Sequence, residues 1–204
     1  MSQVYVKVCG ISTAAAAQAV VDSGADAIGF VFAPGSPRLV SVEHAAGLAA
    51  DLPVSIETVG VFRNQPLDLV LSSASQAGLT TVQLHGDEPD DHFDRLRDEG
   101  FRTIRALSID RYREGAGSMR LGEDRVLIDA VTPGAGTTFD TTDLENRPPH
   151  GFWLLAGGLA PDNVAGLVRA VRPGGVDVSS GVESSRGVKD SGLIRAFVAA
   201  ARQA

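Results

Sequence analysis

Cys9 and Asp129 are the side chains of this sequence best suited to moving protons. Each closes a largely apolar run, Val6-Lys7-Val8-Cys9 and Val126-Leu127-Ile128-Asp129. Cys9 is the only cysteine. It forms no intramolecular disulfide, so it packs as a small hydrophobe, binds a metal or reacts as a thiolate. A carboxyl group at the end of a buried strand is half-desolvated, which raises its pKa and favours a general acid; the same aspartate would equally cap the following loop. A thiolate base and a carboxylic acid can flank one substrate and shift a proton across it.

Anion recognition is the second chemistry available. Ala156-Gly157-Gly158-Leu159 and Val178-Ser179-Ser180-Gly181-Val182 are glycine-bearing loops that follow successive apolar runs. Glycine lets backbone N–H groups approach an anion closely. Turn chemistry explains one such loop, whereas two adjacent ones read as a phosphate site. Arg38 sits in a loop with Pro34, Gly35 and Pro37; its planar fork suits a carboxylate or phosphate, and a solvated surface arginine is the alternative. In Gln83-Leu84-His85-Gly86, His85 reads as substrate-orienting or structural. His44, His92 and His150 show no paired spacing, so no metal site is expected.

These residues need a scaffold that brings distant segments together. Short runs rich in Val, Ile, Leu and Phe alternate with longer Ala-rich or charged stretches throughout the chain, which is the βα pattern. Strands are predicted at 5–9, 27–32, 55–62, 81–84, 102–107, 125–129, 152–156 and 176–178. Helices are predicted at 13–23 (N-cap Ser12 or Thr13, stop at Gly24), after Ser41, at 67–76 behind Pro66, at 89–99, at 161–171 opening on Pro161, and at 190–201. The stretch from Asp110 to Gly122 has little apolar periodicity and predicts a short or irregular fifth helix, and Pro148-Pro149 marks a minimal sixth.

Eight such units predict a (β/α)8 TIM barrel, one domain over residues 1–204 with short loops. A doubly wound sheet would leave edge strands and normally carries a Gly-x-Gly-x-x-Gly turn after its first strand, which is missing here. In a barrel the reactive residues lie at the C-terminal strand ends. That brings Cys9, Arg38, Arg63-Asn64, Gln83, His85, Asp129, Gly157-Gly158 and residues 177–181 to one mouth. A hydrophobic content of 44% supplies a substantial core, and a net charge of -7 with a pI near 5.0 argues against a nucleic-acid partner. No apolar run approaches ~18 residues and no basic start leads into an apolar stretch, so a cytoplasmic protein without a membrane partner is expected.

Several motifs combine to carry a family resemblance. Lys7-Val8-Cys9-Gly10-Ile11, Gly29-Phe30-Val31-Phe32 with Ser36-Pro37-Arg38, Val59-Gly60-Val61-Phe62, Val82-Gln83-Leu84-His85-Gly86, Gly157-Gly158-Leu159 with Pro161 and Asn163, and Val176 through Glu183 resemble the phosphoribosylanthranilate isomerases of tryptophan biosynthesis. The resemblance implies an Amadori rearrangement of a phosphorylated small molecule without a cofactor, by a monomer or homodimer. It implies Cys9 as general base and Asp129 as general acid, with Arg38 on the anthranilate carboxylate. Gly158, Ser180 and Gly181 would hold phosphate with their loop neighbours Gly157 and Ser179, and Asp177 would orient a ribose hydroxyl. Gln83 and His85 complete the substrate-facing set.

The base must be a thiolate, and Lys7 shares the strand face of Cys9 by alternation. Lys7 either lowers the Cys9 pKa or pairs with a carboxylate inside the barrel. The chain departs from the family in Pro133-Gly134-Ala135-Gly136-Thr137-Thr138-Phe139-Asp140, with Thr137 where a lysine is common and Thr141 where an aromatic is frequent. Two other readings compete. The related histidine-pathway isomerase uses an aspartate pair where this chain has Cys9, and the joint presence of Cys9 and Asp129 counts against a catalytically silent barrel.

Overall fold

The computed structural model describes residues 3–115, 125–129 and 142–204. Thr137, Thr141 and residues 116–122 of the predicted fifth helix lie outside the described residues. Eight parallel strands pair in chain order: β1 (Tyr5–Cys9), β2 (Ala27–Val31), β3 (Glu57–Phe62), β4 (Thr81–Leu84), β5 (Arg102–Ser108), β6 (Arg125–Asp129), β7 (Trp153–Ala156) and β8 (Gly175–Val178). β8 pairs back onto β1 and closes the barrel. The strands are almost continuously buried, as required where one face lines a barrel and the other meets a coat of helices. That coat is α1 (Ala14–Asp22), α2 (Val42–Ala50), α3 (Leu67–Gln76), α4 (Asp90–Asp98), α5 (Ile109–Gly115), α6 (Thr142–Asn146), α7 (Val164–Val171) and α8 (Ser191–Arg202).

Local chemistry sets the helix boundaries. The Thr13 and Ser41 side chains accept the N–H groups of Ala16 and His44, and Gly24, at φ 74°, ends α1 in the left-handed conformation. Pro66 and Pro89 stand one residue earlier than a first-turn position, as N-caps of α3 and α4. α7 begins three residues after Pro161. Asn163 explains the delay: its Oδ1 accepts the Ala160 N–H at 2.8 Å and its Nδ2 donates to the Gly158 carbonyl at 2.9 Å, folding the segment into a side-chain-bonded turn in place of a helical one. β3 starts at Glu57, not Ser55, because the Ile56 N–H closes a turn onto Pro53. Phe152 stays outside β7, with its ring edge-on to Tyr5. The alternation did not reveal the short hairpin of β9 (Glu183–Ser185) and β10 (Val188–Lys189), which lies between β8 and α8.

The barrel interior is layered. Ala27, Val59, Ile104, Ala106, Leu127, Leu154 and Ala156 form its apolar centre. Below them Glu57 is a buried hub: Tyr5 and Thr81 each donate to it at 2.5 Å and Arg125 at 2.7 Å. Burial works to raise the Glu57 pKa, but these donors outweigh it and hold the carboxyl below its ordinary value. Its stabilising contribution is therefore present above the unfolded carboxyl pKa of ~4.3 and is lost as pH falls through the lower folded value. Glu57→Ala leaves Arg125 without its buried partner, and unfolding in urea at pH 7 is expected to show a loss of about 2–4 kcal/mol. An unchanged midpoint would show that the hub contributes nothing to stability.

Candidate active site

At the opposite end the barrel opens into a cavity of about 450 Å³, to which β1 to β4 and β6 to β8 contribute side chains. Cys9, Arg38, Gln83, His85, Asp129, Gly157, Gly158, Asp177, Ser179 and Ser180 all line it. Gly181 does not. It sits behind the lining, where a Cβ would overlap the Leu159 carbonyl, so glycine here lets the two glycine-bearing loops meet. Ser36, Arg63 and Leu159 also line the cavity, and Val31, Ala33, Val61 and Ala156 supply the rest of its apolar wall.

Register places the reactive groups. Cys9 lies opposite Gly29 across β1 and β2, and a Cβ at residue 29 would come within 2.9 Å of the thiol sulfur. Gly29 thus provides the space that Cys9 occupies. Across β1 and β8, Lys7 lies opposite Asp177, and Lys7 Nζ meets Asp177 Oδ1 at 2.9 Å with both side chains buried. Of the two roles open to Lys7, pairing with a carboxylate inside the barrel is the one formed. Its charge still reaches Cys9. Burial pushes the Cys9 thiol up, Lys7 and Lys189 pull it down, and Asp177 adds to the rise; the net direction is upward. Asp177 offsets the desolvation of Lys7 and, with Cys9, holds its pKa above the ordinary value.

Asp129 ends β6 with its side chain 33% exposed, in keeping with a half-desolvated position. His85 Nε2 lies 3.7 Å from Asp129 Oδ2, and Gln83 Nε2 lies 3.3 Å from His85 Nδ1. Burial lowers the His85 pKa, helped by the positive charges of Lys7 and Arg63 and opposed by Asp129 and Asp177. The imidazole is therefore neutral at pH 7.

Arg38 carries an ion pair that the sequence does not advertise. Its Nε and Nη2 donate to Glu183 Oε1 and Oε2 at 2.6 and 2.9 Å, while its aliphatic stem lies over Gly10, where a Cβ would come within 2.5 Å of Arg38 Cδ. Lys189 joins the same carboxylate at 2.8 Å. The visible signal was slight: a Glu and a Lys six positions apart around Gly187, which antiparallel pairing sets opposite each other. At the other rim Gly157 and Gly158 adopt φ of 88° and 62°. The N–H groups of Gly158, Ser180 and Gly181 donate to no group among the described residues. Free backbone donors from two loops in one place make an anion-binding concavity.

A closed parallel barrel with proton-transfer groups and anion-binding elements on its C-terminal rim defines a (β/α)8-barrel enzyme. The family profile described as N-(5'phosphoribosyl)anthranilate (PRA) isomerase matches residues 6–200. The N-(5'-phosphoribosyl)anthranilate isomerase of Geobacter sulfurreducens is 41% identical, with 98% of each chain covered. Among solved structures, TrpF from Jonesia denitrificans superposes with a TM-score of 0.88 at 43% identity, covering 98% of this chain and 97% of its own. A phosphoribosyl anthranilate isomerase in complex with reduced 1-(o-carboxyphenylamino)-1-deoxyribulose 5-phosphate gives 0.86 at 36% identity, covering 98% and 100%. This chain belongs to the N-(5'-phosphoribosyl)anthranilate isomerase family.

Proposed function

We propose that this chain isomerises N-(5'-phosphoribosyl)anthranilate to 1-(2-carboxyphenylamino)-1-deoxyribulose 5-phosphate in tryptophan biosynthesis, with Cys9 as general base and Asp129 as general acid. The observation that carries the assignment of roles is that one cavity holds a buried thiol, a part-exposed carboxyl group, an arginine and the free N–H groups of two loops. Asp129 protonates the ribose ring oxygen; the C1–O bond breaks and the furanose opens to a Schiff base. The Cys9 thiolate then takes the proton from C2, giving an enolamine that tautomerises to the ketose. One proton is given and one is taken, so substrate and product are isomers and the chemistry calls for no cofactor.

Arg38 has one edge of its fork on Glu183 and offers its remaining N–H groups to the ring carboxylate. The N–H groups of Gly158, Ser180 and Gly181, with Gly157 and Ser179 beside them, receive the phosphate, and the missing Cβ of Gly181 lets the two loops meet. Asp177 has Oδ1 on Lys7 and keeps Oδ2 for a ribose hydroxyl. Gln83 and His85 border the same part of the cavity. The reading carries with it a cytoplasmic location and a monomer or homodimer as the working unit. Among the described residues no helix is long and apolar enough to cross a membrane. The test is to follow the loss of substrate fluorescence when intact protein is added; saturable turnover is expected, and its absence would overturn the assignment.

A further inference from the structure

Glu183 holds four donors on one carboxylate. Oε1 takes Arg38 Nε at 2.6 Å and Lys189 Nζ at 2.8 Å; Oε2 takes Arg38 Nη2 and the Gly187 N–H, both at 2.9 Å. The Glu183 and Lys189 side chains are 5% and 2% exposed, so the cluster is shielded from water and from salt. Lys189 Nζ also donates to the Ser179 carbonyl at 2.8 Å, in the loop of the free N–H groups. Two cations share one carboxylate, which leaves a net positive charge beside the cavity.

We propose that Glu183 is a positioning residue: it clamps the Nε–Nη2 edge of Arg38, so that only Nη1 and the outer N–H of Nη2 remain for the substrate's ring carboxylate. Through Lys189 the same carboxylate ties this end of the site to the Ser179 loop. The proposal rests on the reading of Arg38 as the carboxylate holder. A flexible arginine in a surface loop would lose rotamer freedom on every binding event, whereas one locked by a bidentate pair, with its stem over Gly10, meets the ligand already oriented. The other edge of the fork is what gives geometric selection between a planar carboxylate and no carboxylate.

The experiment compares two product analogues on the same protein samples: the reduced carboxyphenylamino ketose phosphate and its phenylamino counterpart, which lacks the ring carboxylate. E183Q is expected to weaken the first about tenfold and the second less than about twofold, and to raise KM more than it lowers kcat. R38A/E183Q is expected to bind the first ligand no worse than R38A alone, because one unit is removed twice. K189M acts on the loop that both ligands share and is expected to weaken them equally. Affinity ratios within one sample do not depend on the folded fraction, so a variant that is partly unfolded still gives an answer. Equal weakening of both ligands by E183Q, or losses that add in the double variant, would overturn the positioning role. If R38A itself fails to discriminate between the ligands, the reading of Arg38 fails instead.

Discussion

Cys9→Ala is expected to lower kcat by about 10²–10⁴-fold while KM stays within a few-fold, since the variant loses the base and keeps every binding group. The cavity around the thiol makes this a clean substitution. Cys9 is 7% exposed and packs with Val31 and Val61, and removing one sulfur there costs about 1 kcal/mol or less of stability, well short of unfolding the barrel. Burial and Asp177 push the thiol up against the pull of Lys7 and Lys189, so at pH 7 only a minor fraction is thiolate. The sign follows. Below the raised thiol pKa the thiolate fraction grows about tenfold per pH unit, so kcat/KM of the intact enzyme rises with pH for as long as the Asp129 carboxyl stays protonated and levels off once that acid ionises. That rise disappears in Cys9→Ala. Steady-state fluorescence assays between pH 6 and pH 9, with melting curves for both proteins, decide the matter. Unchanged turnover in the variant would remove Cys9 from the mechanism.

What the sequence makes legible is what short-range physics determines. Apolar runs of strand length, each followed by a helix-length stretch, lead to eight units and closure because each strand must be buried on both faces. Thr13 and Ser41 announce their helices since a cap bonds an N–H within three residues. The strand-end rule gathers Cys9, Gln83, Asp129 and Asp177 without any knowledge of their contacts.

The interactions that stay hidden depend on register between segments far apart in the chain. Lys7 meets Asp177 across 170 positions only because β8 pairs onto β1 in one particular alignment. Arg38 meets Glu183 across 145 positions through a hairpin too short to show alternation. Gly181 reads as a phosphate contact in sequence, while the second task of its missing Cβ, the close approach to the Leu159 backbone, is invisible there. In each case the residue type was visible and its partner was not.

Those hidden partners shape the expectation for Asp129→Asn, which is a fall in kcat of about 10²–10⁴-fold with KM nearly kept. Asparagine has the shape of aspartate, and the side chain is 33% exposed, so the substitution opens no buried cavity. What disappears is the transferable proton. His85, with Nε2 at 3.7 Å from Asp129 Oδ2, is the nearby group that could stand in as acid. Its pKa is lowered by burial and by Lys7 and Arg63, so at pH 7 it is neutral and holds its remaining ring proton too tightly to replace a carboxylic acid. Rescue through His85 would require its protonation together with the Cys9 thiolate, so any residual activity of Asp129→Asn is expected to stay flat through neutrality, the shrinking imidazolium fraction offsetting the growing thiolate fraction. The double variant Asp129→Asn with His85→Asn should instead follow the thiolate alone and gain activity as pH rises. A change confined to KM, with kcat intact, would show that Asp129 binds substrate and does not donate the proton. The same pH profile in both variants would place the acid on another residue of the same mouth.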